Sequence, residues 1–504
     1  MQGYMKKTTK RRASNRPYVS QSQLVIDGFE TPFSQNLDPD NRWVKLAGKI
    51  PWDELSGLYL KRFGPKSTGR PPLNPRIVIG ALIIKHFCNL DDRETISQIT
   101  ENIYMQYFLG YSGFSSEPPF DPSLFVEIRK RLGDDLLAEM NLRILQISKK
   151  DEKEGSSDKK GDDKSSGIGP THKGELLLDA TVSPQDIAYP TDLKLLNDGR
   201  EISEKIIDFL HAPGEKKPRT YRQKARKEFL HVAQNKNPRI KTVRKAIGKQ
   251  LRYLKRNIFH INGMLDRFGV FPLPKKLHRQ FWVIQTLYDQ QLEMFTQRKH
   301  SVDDRIVSIH QPHVRPIVRG KAGAKVEFGS KLHLSLVDGF AFVDTISWDA
   351  FNEGSHMIEY VEKYKTRFGF YPEKVLADMI YCTRANRRWL KDRQIKLAAK
   401  PLGRPSAKAV EDHVRPGERN PIEGKFGQAK NGYGMNRIRA RLKQTSQSWI
   451  ASIILVLNLV KLAGQVPLCL SFSAQIMRFG GIVAVLLDRM KKLNSLLTNR
   501  AIPG

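Results

Sequence analysis

The chain has 504 residues, 39% of them hydrophobic and 9% aromatic, so it can bury cores in more than one domain and is not globally disordered. Its 85 Lys and Arg against 52 Asp and Glu leave a net charge of +33, which repels itself unless a polyanion neutralises it, so nucleic acid is the expected partner. Cys88, Cys382 and Cys469 lie far apart with no CxxC pair, which argues against a disulfide scaffold or a cysteine zinc site and suits a reducing compartment.

Residues 1–42 read as a basic tail; Lys6, Lys7, Lys10, Arg11 and Arg12 precede no apolar run, so no signal peptide is expected. From 43 to 147 the pattern is helical. Pro75 to Phe87 forms an apolar helix, and Asp91-Asp92 caps a helix through Ile96, Ile99 and Ile103. Asp121-Pro122-Ser123 places an N-cap and a first-turn proline before a helix from Leu124 to Leu132. That helix carries Arg129, Lys130 and Arg131, so the region is expected to be an all-α DNA-binding domain whose recognition helix enters the major groove. Packing or dimerisation is the alternative role for this domain. Residues 148–173, rich in Lys, Asp, Ser and Gly, read as a linker.

Strand signals follow. Glu175 to Val182 is a short apolar run suited to a buried strand, ending its apolar core at Asp179. Lys331 to Val337, Asp338-Gly339 and Phe340 to Ile346 read as a hairpin, because Asp-Gly supplies the positive φ angles of a tight turn. A helix from Glu353 to Arg367, a strand from Lys374 to Asp378, a helix from Arg384 to Leu390 and a strand from Ile395 to Ala399 alternate, which implies a partly parallel sheet.

An insertion at 193–300 separates the first strand from the hairpin. Between His211 and His260 it holds sixteen Lys and Arg against two Glu, more than a solvated face usually carries. Ile240, Val243, Ile247, Leu251, Leu254 and Ile258 form one helical stripe, and Phe281, Ile284, Tyr288, Leu292 and Phe295 another. With Gly269 to Pro274 as a break, the two are expected to pack as an antiparallel hairpin. Arg244, Lys245, Lys249, Arg252, Lys255 and Arg256 would then face outward onto DNA phosphates, with subunit pairing as the alternative. Apolar helices near 449–462 and 474–488 close the chain, residues 466–504 reading as a C-terminal helical segment. The longest apolar stretch, Ile450 to Val460, is broken by Ser452 and Asn458 and is too short for a bilayer, so the expectation is a soluble cytoplasmic, nucleoid-associated protein without a membrane partner.

Three carboxylates stand out by position. Asp179 and Asp378 sit at strand ends, where an open α/β sheet exposes its ligand crevice. Glu423 lies in a segment that Pro421 can open as a helix. If that helix crosses the sheet, three hard-oxygen donors meet, as Mg²⁺ or Mn²⁺ requires. Two such ions clamp the attacking and leaving oxygens of a phosphoryl displacement. A lone Asp at a strand end is more often a cap. Asp186 and Asp192 are poorer candidates, Lys425 is equally suited to DNA or solvent, and proline within His310-Gln-Pro-His313 denies helical ligand spacing.

At these residues the sequence resembles the DDE transposases of bacterial insertion sequences, whose catalytic domain is ribonuclease H-like and interrupted by a long insertion. The matching stretches are Leu-Leu-Leu-Asp179-Ala-Thr with Tyr189-Pro-Thr-Asp192, then Leu-Ala-Asp378-Met-Ile-Tyr381 with Asn386-Arg387, and finally Arg419, Glu423 and Lys430. The arginine four residues before the glutamate and the lysine seven after it keep the family's spacing; the family's tyrosine three residues before the arginine is Pro416 here. The resemblance spans roughly residues 45 to 465, including Asp91-Asp-Arg-Glu, Phe108-Leu-Gly110 and Arg129-Lys-Arg-Leu-Gly133. It implies an α/β fold: a ribonuclease H-like mixed sheet at 174–465 with the helical insertion, preceded by the all-α domain. It implies that Asp179, Asp378 and Glu423 hold two Mg²⁺ or Mn²⁺ ions and that Arg419 and Lys430 hold phosphates. The implied activity is cleavage of double-stranded DNA at transposon ends and strand transfer to target DNA, by a homodimer on DNA. A metal-dependent nuclease without strand transfer, or a catalytically dead DNA-binding derivative, remain the alternatives.

Overall fold

The structure, a computed structural model, describes residues 37–62, 73–154, 172–268, 272–318, 326–399 and 417–464. Most of the basic tail and of the linker, Pro416 and the expected helix at 474–488 lie outside the described residues.

The N-terminal part is helical: α1 (Arg42–Lys49), α2 (Trp52–Lys61), α3 (Pro75–Phe87), α4 (Asp92–Glu101), α5 (Ile103–Phe108) and α6 (Leu124–Glu154). Side-chain caps set the boundaries: Asp91 accepts from the Arg93 and Glu94 amides, and Asn102 accepts from those of Tyr104 and Met105. Asn102 therefore starts a new helix, and Ile103 does not belong to the helix expected to run through it. Helix α6 opens at Leu124 as expected and is interrupted at Gly133, whose φ of +64° is the left-handed region that glycine tolerates. It then resumes to Glu154, entering what the sequence suggested was linker.

The sheet comprises β1 (Glu175–Pro184), β2 (Arg315–Val318), β3 (Val326–Val337), β4 (Phe340–Ser347), β5 (Lys374–Leu376) and β6 (Lys396–Ala398). Its order is β2-β3-β1-β5-β6, with β4 also on β3. Strand β3 is antiparallel to β1, β2 and β4, while β1, β5 and β6 are mutually parallel. The expected Asp338-Gly339 turn joins β3 to β4 with φ values of 51° and 75°. A 3-10 turn (Glu353–His356) leads into α11 (Met357–Phe368), and α12 (Arg384–Asp392) connects β5 to β6.

Helix α14 (Lys443–Leu462) packs on α6, β4 and α3. By length and composition it could cross a membrane, but here it is a core helix, with Ile450, Ile453, Ile454, Val456 and Leu459 buried. Asn458, which breaks its apolar run, is fully buried: it accepts from the Ala341 amide at 2.9 Å and donates to Ala341 O at 2.7 Å and Asn141 Oδ1 at 2.8 Å. That side chain ties α6, α14 and β4 together by giving the buried Ala341 amide a partner and sharing the Ala341 carbonyl with Asn141 Nδ2.

Between β1 and β2 the insertion forms four helices, α7 (Asp192–Leu210), α8 (Arg222–Ala233), α9 (Ile240–Leu265) and α10 (Lys275–Gln297). The expected two-helix hairpin is incomplete, because α9 and α10 both pack on α7 around Leu196, Ile206, Leu254, Ile261, Ile284 and Leu287. Ile240 is 86% exposed and Leu292 36% exposed, so neither joins the buried stripe expected of it. Arg305, past the insertion, pairs with Asp192 at its start at 2.7 Å, giving Asp192 a structural role.

Candidate active site

Register alone brings the first two carboxylates together. Strands β1 and β5 pair in parallel over Glu175↔Lys374 to Leu177↔Leu376. Two residues further the chains part at Asp179 and Asp378, side by side at the end of the parallel pairing. Asp179 does not end its strand, as the sequence suggested; it lies mid-strand, because β1 continues to Pro184 against β3. Asp378 caps the 3-10 turn Met379–Tyr381, accepting from the Met379 amide at 2.7 Å.

The third carboxylate arrives on α13 (Asn420–Gly432), which opens with Pro421 in its first turn. Arg419, at its N-cap, reaches both aspartates: Nη2 lies 3.3 Å from Asp179 Oδ2 and Nη1 3.5 Å from Asp378 Oδ1. Steps of four, four and three residues put Arg419, Glu423, Gly427 and Lys430 on one face of the helix. All four line a cleft of about 680 Å³, together with Asp179 and Asp378. The structure thus gathers all five residues that the resemblance assigned to the catalytic cleft.

Burial pushes the Asp179 carboxyl above its ordinary range; the Ala180 amide and Arg419 oppose this, while the charges of Glu353 and Asp378 add to it. Negative charge is therefore crowded here and calls for a cation. As the side chains lie, no group of three or more His, Cys, Asp or Glu among the described residues is close enough to hold a metal ion. The Arg419 guanidinium lies between two of the carboxylates and already provides positive charge there. The donors fit a hard divalent cation chemically, since all are carboxylate oxygens and a cationic group already sits between two of them.

Sequence reasoning missed two residues of this cleft, Glu353 and Lys331, whose side chains pair at 2.7 Å. Neither lies in a motif; only the fold of the hairpin and the following turn brings them in.

The remaining candidate residues lie outside this cleft. Arg129 is 3% exposed and makes a bidentate pair with Asp92, both bonds 2.8 Å, so it is not available to a base edge in this fold. Lys130 is exposed and pairs with Glu127 on its own helix at 2.7 Å. In the insertion, Lys249 is half-buried on Glu228 at 2.7 Å, Arg256 lies 4.7 Å over the Tyr221 ring, and Arg244 bonds Phe295 O at 2.7 Å. Lys245, Arg252 and Lys255 are the exposed members of that set. Asp186 pairs with Arg437 at 2.9 Å, and Lys425 is half-buried, its ammonium lowered to about 8 by burial and then by Lys461. His313 packs edge-on to Trp348 at 4.3 Å, and burial holds it down to about 4, while His310 meets Gln280 at 3.1 Å; the pair is a loop, as expected.

Residues 375–460 match a family described as a transposase DDE domain, and residues 31–131 match one described as a transposase domain. A Rhizobium meliloti protein, named only as an uncharacterized protein ORF8 in the nfe locus, is 30% identical over 181 residues, 36% of this chain and 78% of the relative. No solved structure matches the chain. The second family match covers the helical N-terminal region, the first covers Asp378, Arg419, Glu423 and Lys430, and together they place the chain among the DDE transposases of insertion sequences.

Proposed function

We propose that this transposase binds the ends of its own element and, with divalent cations, cuts DNA strands there and joins them to target DNA. The observation that carries the reading is the convergence of Asp179, Asp378 and Glu423, from three distant parts of the chain, on one cleft with Arg419 between the two aspartates. The order β4-β3-β1-β5-β6, three antiparallel strands followed by two parallel ones, supports a ribonuclease H-like catalytic domain.

In this reading Asp179, Asp378 and Glu423 hold the cations, and a bound Mg²⁺ or Mn²⁺ pair supplies activation of the attacking oxygen and charge neutralisation at the leaving oxygen. Arg419 leaves its carboxylate partners for a phosphate oxygen as DNA enters. Lys430, on the same helix face, holds a neighbouring phosphate. Once on the phosphates, both side chains would lie where the pentacoordinate centre gathers charge and so would stabilise the transition state more than the ground state. Gly427 between them leaves open space above the helix for a sugar-phosphate backbone.

The N-terminal helices would recognise the element's ends as part of a homodimer on DNA in the cytoplasm, and the insertion would hold the backbone through Lys245, Arg252 and Lys255. The test uses pre-cleaved element ends and a supercoiled target: joined products support a transposase, whereas cleavage of intact ends without joining makes the protein a nuclease.

A further inference from the structure

Behind the cleft the sheet buries a polar chain that the three expected carboxylates do not require. Asp344 on β4 and His333 on β3 have fully buried side chains and lie 3.0 Å apart, with Arg367 2.8 Å from the other Asp344 oxygen. The His333 ring stacks on Tyr360 at 3.6 Å, and its Nε2 lies 2.9 Å from the Tyr381 hydroxyl. That hydroxyl is 3.3 Å from Glu353 Oε2, while Lys331 Nζ is 2.7 Å from Oε1. Burying charged groups carries a desolvation cost that pairing often fails to repay, and this chain ends at Glu353, 16% exposed in the cleft that holds Asp179.

The backbone leads to the same place. A Cβ added at Gly354 would lie 2.1 Å from Ile380 O, so the turn carrying Glu353 and the turn carrying Asp378 are in direct contact. Asn386, buried on α12, donates to Gly354 O at 2.7 Å and to Tyr381 O at 2.9 Å, clamping both turns with one amide. The sequence pointed to Asn386 without giving it a task.

We propose that Glu353 is a fourth carboxylate of the cleft, acting with Asp179, Asp378 and Glu423 on the divalent cations at the reacting phosphate. Lys331 is its resting counter-ion; Asn386, Tyr381 and His333 are positioning residues that hold its turn against that of Asp378. The proposal rests on the reading of the cleft as a cation-dependent DNA-cleaving site. The rival is that Glu353 serves only to neutralise Lys331.

Mn²⁺ binding to the full chain, followed by the electron paramagnetic resonance of free Mn²⁺, separates the two. Glu353→Gln should weaken Mn²⁺ binding about ten-fold or more, Glu353→Asp should recover part of it, and the thermal midpoint should stay near that of the wild type. Because Glu353→Gln can unseat Lys331 and unfold the chain, the wild-type protein is also loaded with Fe²⁺ and exposed to ascorbate and peroxide, which cuts the backbone beside a bound ion. Fragment ends near residue 353, as well as near 179 and 378, are expected. Cuts near 179 and 378 with none near 353, or unaltered Mn²⁺ affinity in folded Glu353→Gln, overturn the proposal alone. No bound Mn²⁺ and no cuts at any of these positions overturn the reading of the cleft, and the proposal with it.

Discussion

Asp92 is a residue whose loss should destabilise the helical domain strongly. It receives two bonds of 2.8 Å from Arg129 and lies 2.9 Å from Lys85 Nζ, with Lys85 fully buried and Trp449 over both cations. Burial raises the Asp92 carboxyl, yet Arg129 and Lys85 overrule it and hold it at about 2, while burial outweighs Asp92 and lowers Lys85 to about 8. The two directions agree physically: the carboxylate profits from both cations, and each cation is buried at a loss. Asp92→Ala leaves two buried positive charges unpaired and should cost about 3–5 kcal/mol. Arg129→Met keeps the volume, leaves the Lys85–Asp92 pair and should cost no more than about 1.5 kcal/mol. The sign with pH follows from the depressed carboxyl. Its stabilisation is present above about pH 4 and is lost as pH falls towards 2, a loss of about 2 kcal/mol. Urea unfolding read by tryptophan fluorescence measures all three, and a gel-shift on element ends measures binding. If Asp92→Ala unfolds at the wild-type urea concentration, or if Arg129→Met keeps its stability but loses specific binding, the buried-network account fails and the recognition-helix reading of Arg129 returns.

Asn458→Leu should destabilise by about 3 kcal/mol, since it leaves the Ala341 amide and the Asn141 side-chain oxygen without a partner and the Ala341 carbonyl with Asn141 Nδ2 alone; a differential-scanning-calorimetry midpoint equal to wild type contradicts this. Exchanging Lys245, Arg252 and Lys255 for Gln should lower the salt dependence of DNA binding by roughly 0.9 per lost contact in log–log slope. The same change at Lys249 and Arg256, which are engaged inside the insertion, should alter it less, and the reverse ranking refutes the assignment. Arg419→Ala should leave end binding nearly intact while slowing strand cleavage at least a hundred-fold, because its partners are the two aspartates proposed to hold the cations; equal loss of both would make it an affinity residue.

What was legible in the sequence is what local chemistry determines. The Asp91 cap, the Asp121 turn that precedes Leu124, the Asp338-Gly339 turn, the strand–helix–strand run from Lys374 to Ala398 and the Pro421 helix start all lie where turn and cap chemistry places them. The Arg419–Glu423–Lys430 spacing was readable only through the family resemblance, and the helix then sets the three residues on one face. Less readable was anything set by packing between distant elements. Arg129 looks like a solvent-facing cation on its own helix, and only the arrival of Asp92 from α4 and Trp449 from α14 buries it. Lys249 and Arg256 fail for the same reason, their partners Glu228 and Tyr221 being supplied by neighbouring parts of the insertion. Glu353 carries no spacing signal at all, and its place in the cleft depends on a backbone contact at Gly354.

The central claim is that Asp179, Asp378 and Glu423 serve chemistry rather than affinity. Its most direct test is one gel: full-length wild type and Asp179→Ala, Asp378→Ala and Glu423→Ala, each with a labelled duplex carrying the element's end, in Mg²⁺ or Mn²⁺ and in chelator. The account predicts cation-dependent nicking by wild type, none by any of the three variants, and end binding by the three variants at least as tight as by wild type, since each substitution removes negative charge beside the DNA. A folded Glu423→Ala protein that still nicks at the wild-type rate contradicts it.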